Sequence, residues 1–182
     1  MNIQFLRQGA LLGVLLFGGL AMADNLAERD QEFLEQAAQN GHAEMSASRL
    51  ALTKARNPKV RVFAQRMIDD HQRVDAELTS LAASKKYTPP KEPSMLQKGK
   101  EMLIANLGDD SFDQRYMNQM GVQAHEETVR LFEEASRDAR DPDVKAFASK
   151  HLPALREHLK AARDLHATLI PANTNSNAQA PS

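Results

Sequence analysis

A short segment of this chain is written twice. Asn57-Pro58-Lys59-Val60-Arg61-Val62-Phe63-Ala64 recurs, 84 positions on, as Asp141-Pro142-Asp143-Val144-Lys145-Ala146-Phe147-Ala148. In each copy an Asn or Asp stands before a proline, the signature of a helix start. The side chain can accept from a free backbone N–H, and proline at the first helical position gives up no hydrogen bond. Each copy follows a long proline-free stretch rich in Ala, Leu, Glu and Gln, which favours helix. The repeat therefore predicts one helical hairpin used twice, an all-α bundle of four helices.

The first helix is expected from about Asp24, read as its N-cap, to about Arg56, and the second from Pro58 to about Ser84. In the second, Val60, Ala64, Met67, His71, Val74, Leu78 and Leu81 alternate at four and three residues, as an inner stripe should. Lys85 to Asp110 holds Pro89, Pro90 and Pro93, then a segment, Met95 to Leu107, able to form one small helix. Such a stretch is long for a turn between neighbours and fits a crossover along the bundle. The third helix is expected from Asp110-Ser111 to about Ala139. In the fourth, the inner stripe reads Val144, Phe147, His151, Ala154, His158, Ala161 and Leu165.

Residues equidistant from a tight turn sit at the same height, at about 1.5 Å per residue. By that count Glu44 is level with His71 across the first turn, and His125 with His158 across the second. Both pairs fall near mid-helix, so they converge if the two turns lie at opposite ends, and are offset by only about 4.5 Å otherwise. A carboxylate and three imidazoles in an apolar core must be hydrogen-bonded, protonated or metal-bound. Two readings follow. Glu44, His71, His125 and His158 hold one transition metal, with Zn, Fe, Mn or Cu suited to the donors and Ca or Mg poorly served. Alternatively, they form a buried network that fixes helix register, or one or two of the histidines turn to the surface.

Other polar residues read differently. His151 shares the stripe of His158 but lies about 10 Å nearer its turn, which suits core packing. Pro153, inside the fourth helix, leaves a carbonyl without its helical partner. Asp113 reads as a partner of the helix dipole at the start of the third helix, and Tyr116 as a candidate to bond across the crossover. His42 and His166 fall off the stripes and read as solvated, and the methionines as core filler.

With 182 residues and 42% of them hydrophobic, the chain suits one domain. The formal charge is -1 and the basic residues are dispersed, so nucleic acid is not an expected partner. Residues 1–23 carry Arg7, an apolar run from Ala10 to Leu20, and Ala21-Met22-Ala23. That is the pattern of a signal peptide cleaved after Ala23, too short in its apolar core to span a bilayer. The expectation is a periplasmic chain, without stable membrane insertion once cleaved, with residues 24–170 in the bundle and a polar, disordered tail over 171–182. There is no cysteine, so neither disulfides nor thiolate ligands arise. No glycine-rich phosphate loop, nucleophile elbow or cysteine nucleophile is present.

A family resemblance rests on Gly41-His42-Ala43-Glu44, on Phe63-Ala64 with Met67-Ile68-Asp69-Asp70-His71, on Phe112-Asp113-x-x-Tyr116 with His125, and on Leu152-Pro153 with His158-Leu159. Through these, from about Arg29 to Leu169, the chain resembles ferritin-like, secreted bacterial proteins catalogued as a domain of unknown function. The resemblance implies a ferritin-like four-helix bundle, two similar hairpins joined by a crossover, and an exported location; it implies no activity. The Glu-x-x-His of ferritin-type di-iron centres is absent, since Ile68 precedes His71 and Leu155 precedes His158 by three residues. A mononuclear site is the expectation that survives, and the alternative is an envelope or stress protein that acts through protein partners with structural or pH-responsive histidines.

Overall fold

The computed structural model describes residues 26–106 and 108–170, apart from the side chains of Asp109 and Asp110. The expected signal peptide and polar tail lie outside these residues, as does Asp24.

The described chain is helical throughout its regular structure: α1 (Glu28–Lys54), α2 (Pro58–Ser84), α3 (Met95–Ala105), α4 (Asp109–Tyr116), a π-helical turn (Met117–Gln123), α5 (Ala124–Asp138) and α6 (Pro142–Leu169). Elements α4, the π turn and α5 run on without a break and form the third long rod. The proline caps behave as read: the Asn57 side chain accepts from Lys59 N, and that of Asp141 from Asp143 N and Val144 N. At α1 the position before the first helical residue is Ala27, which offers no capping side chain. The crossover helix α3 opens on a reciprocal capping box between Ser94 and Gln97.

Two carboxylates, Asp30 buried and Asp113 half-buried, show how the hairpins are stacked. Asp30, at the start of α1, accepts from the backbone N–H of Arg140 (3.1 Å) and Asp141 (2.8 Å) in the second turn. Asp113, at the start of the third rod, accepts from Arg56 N (3.2 Å) and Asn57 N (2.7 Å) in the first. Each turn is thus tied to the start of the other hairpin, so the two turns lie at opposite ends of the bundle. This revises the reading of Asp113, which satisfies the N–H groups of a neighbouring turn rather than those of its own helix.

Two apolar clusters fill the interior. Phe33 meets Phe132 and Phe147 edge to face near the second turn. Phe63, Phe112, Tyr116 and Met67 pack near the first. Tyr116 bonds Ser48 of α1 (2.9 Å) and not the crossover. On α2 the inner stripe stands as expected, with Val60, Ala64, Met67, His71 and Leu78 buried. On α6 it is shifted: Ala154 is exposed, and the inward positions are Leu155 and Ala162. A straight helix drifts relative to a strict seven-residue count, and Val144, His151 and His158 belong to both phases.

Candidate metal centre

Between the two apolar clusters, each long rod contributes one polar side chain. Glu44 comes from α1, His71 from α2, His125 from α5 and His158 from α6, and all four are buried. The imidazole centroids lie 5.8 Å apart for His71 and His125, 5.8 Å for His71 and His158, and 5.6 Å for His125 and His158. One ligand nitrogen from each ring falls within 4.8 Å of the other two. Three buried histidines so disposed could hold a metal ion.

The outer nitrogens are tied down. His125 Nδ1 lies 3.0 Å from the carbonyl of Met120, and a carbonyl can only accept, so that nitrogen carries the proton. His158 Nε2 lies 2.8 Å from Asp70 Oδ2, again an acceptor. In a neutral imidazole the opposite nitrogen then bears a lone pair. Those opposite atoms, His125 Nε2 and His158 Nδ1, have no hydrogen-bond partner, and neither has His71 Nε2. The cluster is thus a set of imidazoles whose free nitrogens are left to one another.

Glu44 stands behind one of these rings. Its Oε1 is 3.2 Å from His125 Nδ1, the nitrogen already turned toward Met120. It does not join the three-nitrogen group, and both its oxygens lack a hydrogen-bond partner. A cavity of about 120 Å³ opens beside it, walled by Asn40, Gln97, Gln119, Gln123 and Glu127.

Burial dominates the electrostatics. It pushes the Glu44 carboxyl well above its ordinary range, with the negative charge of Glu127 adding to the effect. It pulls His71 well down, helped by repulsion from His125 and His158. It lowers His125 to about 4, against the opposing bonds to the backbone of Met120 and Gly121. His158 is lowered by burial, partly offset by Asp70. For Asp70 itself the largest single influence, burial, pushes upward, but bonds from His158 and Arg66 and the charge of Arg73 outweigh it and hold the group ionised. The three rings are therefore neutral, the form that binds a metal.

Two parts of this arrangement escape a reading of the sequence. Asp70 is flanked by Arg66 (3.3 Å) and Arg73 on its own helix; the spacing was visible, but its contact with His158 depends on how α2 meets α6. The π turn is the second. Its wider helical turn places the carbonyl of Met120 five residues before His125 within reach of that ring. The one local signal was Gly121, where a Cβ would fall 2.9 Å from Met117 Cε and 3.2 Å from Ala162 Cβ.

The remaining histidines stay apart. His151 bonds Glu77 (3.0 Å) and packs on Phe147. His42 and His166 are half-buried rather than solvated, His42 lying 3.6 Å from Asp75. Of the methionines, Met45, Met67, Met117 and Met120 fill the core, but Met95 and Met102 are exposed.

The family model described as Domain of unknown function (DUF4142) matches residues 18–165. This chain belongs to that family. No curated protein matches it in sequence. Among solved structures it is similar to a DUF305 fragment from Deinococcus radiodurans, with a TM-score of 0.69 at 12% identity over 79% of this chain and 98% of that one. It is also similar to CopM in the Cu(II)-bound form, TM-score 0.66 at 17% identity over 78% and 97%. A third is a conserved hypothetical protein, rv2844, from Mycobacterium tuberculosis, TM-score 0.61 at 14% identity over 76% and 91%. At these identities the likeness concerns the fold.

Proposed function

We propose that this protein binds a single transition metal through His71 Nε2, His125 Nε2 and His158 Nδ1, with Glu44 as the fourth protein group of the site, acting next to His125. The observation that carries the reading is the convergence of three buried, unpartnered ring nitrogens, two of them belonging to rings whose outer nitrogens are engaged by acceptors. Buried polar atoms left unpaired cost about 1–3 kcal/mol each, and a cation with empty orbitals satisfies all three lone pairs at once. Asp70 behind His158 and Met120 behind His125 supply the outer contacts that orient metal-binding imidazoles and raise their basicity.

Three imidazoles suit Zn, Cu, Fe or Mn over hard-oxygen ions, and the Cu(II)-bound state of CopM makes copper the first ion to try. No reaction is assigned. The location that accompanies this reading is the periplasm, reached by cleavage of residues 1–23; among the described residues no helix is long and apolar enough to cross a membrane.

Elemental analysis and equilibrium titration test the proposal. The purified protein, refolded with Zn, Fe, Mn or Cu in turn, is expected to retain one equivalent of at least one of them, and His71→Ala and His158→Ala to retain none. A wild-type protein that keeps no metal under any of these conditions sinks it.

A further inference from the structure

The crossover helix α3 lies on the bundle inside out. Its inward contacts are polar: Gln97 donates to Asn40 of α1 (2.7 Å), Glu101 accepts from Ser46 (2.8 Å), and the Lys54 ammonium reaches the carbonyl of Ala105. Ile104 is its one buried side chain. Its other large apolar residues point outward, with Met95 82%, Leu96 71%, Met102 65% and Leu103 71% exposed. Of the six large apolar side chains exposed among the described residues, four stand on this one 11-residue helix.

These four share a face. At about 100° per residue, Met102, Met95, Leu103 and Leu96 span an arc of about 120°, with Gly99 in its middle. A Cβ at Gly99 would meet nothing, so the arc is open. Lys98 borders it on one side and Lys100 on the other. Lys98 pairs with Glu92 (2.5 Å), whereas Lys100 has no acidic partner among the described residues. An outward apolar stripe edged by lysines whose aliphatic stems can lie along it is the pattern of a helix resting in a lipid interface.

We infer that α3 is a docking surface for an anionic lipid bilayer: Met95, Leu96, Met102 and Leu103 enter the acyl boundary while Lys98 and Lys100 meet the headgroups. Two arguments select this occupant over a second copy of the chain. A stable protein interface buries ~800 Å² per partner, more than four side chains on one 11-residue helix present. Its uncompensated flanking charge is basic, Lys100 being unpaired among the described residues while Lys98 is matched by Glu92, and an anionic surface complements that charge where an identical face does not. The helix rests on the bilayer without crossing it, and this inference is independent of the metal site.

The absence of cysteine gives a clean test. In the full chain, a solvatochromic dye on Met102→Cys is expected to shift to the blue with vesicles of phosphatidylglycerol and phosphatidylethanolamine, and not with phosphatidylcholine alone; a dye on Ser149→Cys of α6 stays unchanged. Adding Leu96→Gln and Leu103→Gln, both exposed and so not needed for folding, raises the lipid concentration at half-saturation at least tenfold, and Lys98→Glu with Lys100→Glu does the same. Retention of helicity by circular dichroism accompanies both. The inference is overturned by a dye at 102 that ignores anionic vesicles, by equal shifts at 102 and 149, by variants that bind as the wild type does, or by a lipid-free shift that grows with protein concentration, which marks self-association instead.

Discussion

At the scale of single residues, the centre sets groups of opposite pH behaviour side by side. His125 titrates near pH 6.5 in the unfolded chain and about 4 in the fold. Above pH 6.5 it is neutral in both states and its contribution to stability is complete. Between 6.5 and 4 the unfolded chain binds a proton that the folded one refuses, so stability falls with pH. His71 and His158 are shifted in the same direction. Glu44 works the other way: with its folded pKa raised, its contribution is complete below 4.5 and is lost as pH rises. Three rings outweigh one carboxyl, so the metal-free protein in chelator should show a urea midpoint that declines from pH 7 to 5, and His71→Leu should flatten that decline. A midpoint constant over this range contradicts the neutral-ring assignment. Glu44→Gln isolates the opposing group. It keeps the shape and removes the ionisation, so its stability relative to wild type should rise from pH 5 to pH 8. Unfolding of both proteins at the two pH values reads this directly.

At the scale of elements, the hairpins were legible because their signals are local. Asn57-Pro58 and Asp141-Pro142 carry their own capping partners within three residues. The inward phase of α6 was less legible, since Ala154 and Leu155 are both apolar and only the packing against neighbouring rods decides which one is covered. The outward face of α3 was hidden for the same reason: Met95 and Met102 have the composition of core filler and lack a core to fill. The π turn was invisible apart from Gly121. Gly121→Ala tests that turn. A methyl there must push against the side chain of Met117 and against Ala162, whose Cβ cannot move without its helix. Overpacking of this kind costs about 1–3 kcal/mol, more than the ~1 kcal/mol that alanine returns in helix propensity. The expected result is a lower melting temperature together with weaker metal retention, because the carbonyl of Met120 that orients His125 belongs to the same turn. A stabilised variant would show that the close approach has slack. The reciprocal carboxylates give a second test: Asp30→Ala and Asp113→Ala each strip two backbone N–H groups of their acceptor. Each should cost about 1–2 kcal/mol, and because they sit at opposite ends of the bundle the double variant should show the sum.

At the scale of the whole molecule, four long helical rods, rising about 1.5 Å per residue outside the π turn, convert positions in the sequence into heights. That is why residues as far apart as Glu44 and His158 could be placed together from the sequence alone. Height does not fix azimuth, and the turning of Glu44 toward the outer side of His125 depends on side-chain packing. One consequence of the arrangement is global. His71 belongs to the first hairpin and His125 and His158 to the second, so an ion held by all three adds a tie between two halves already joined by apolar packing and by polar contacts such as Asp70–His158 and Glu77–His151. A ligand that binds only the folded state stabilises by about 2.7 kcal/mol at a hundred times its dissociation constant. For a chain of this size, at roughly 2–4 °C per kcal/mol, the melting temperature should rise by about 5–10 °C. The gain should appear in both hairpins together, read as slowed amide exchange in α2 as well as in α5 and α6, because no ligand set confined to one hairpin contains the three nitrogens. His71→Ala should abolish the metal-dependent shift, and His158→Ala should do the same from the other side. If instead the shift survives in the double variant, or protection rises in one hairpin alone, the ion sits elsewhere and the buried imidazoles serve the fold by themselves.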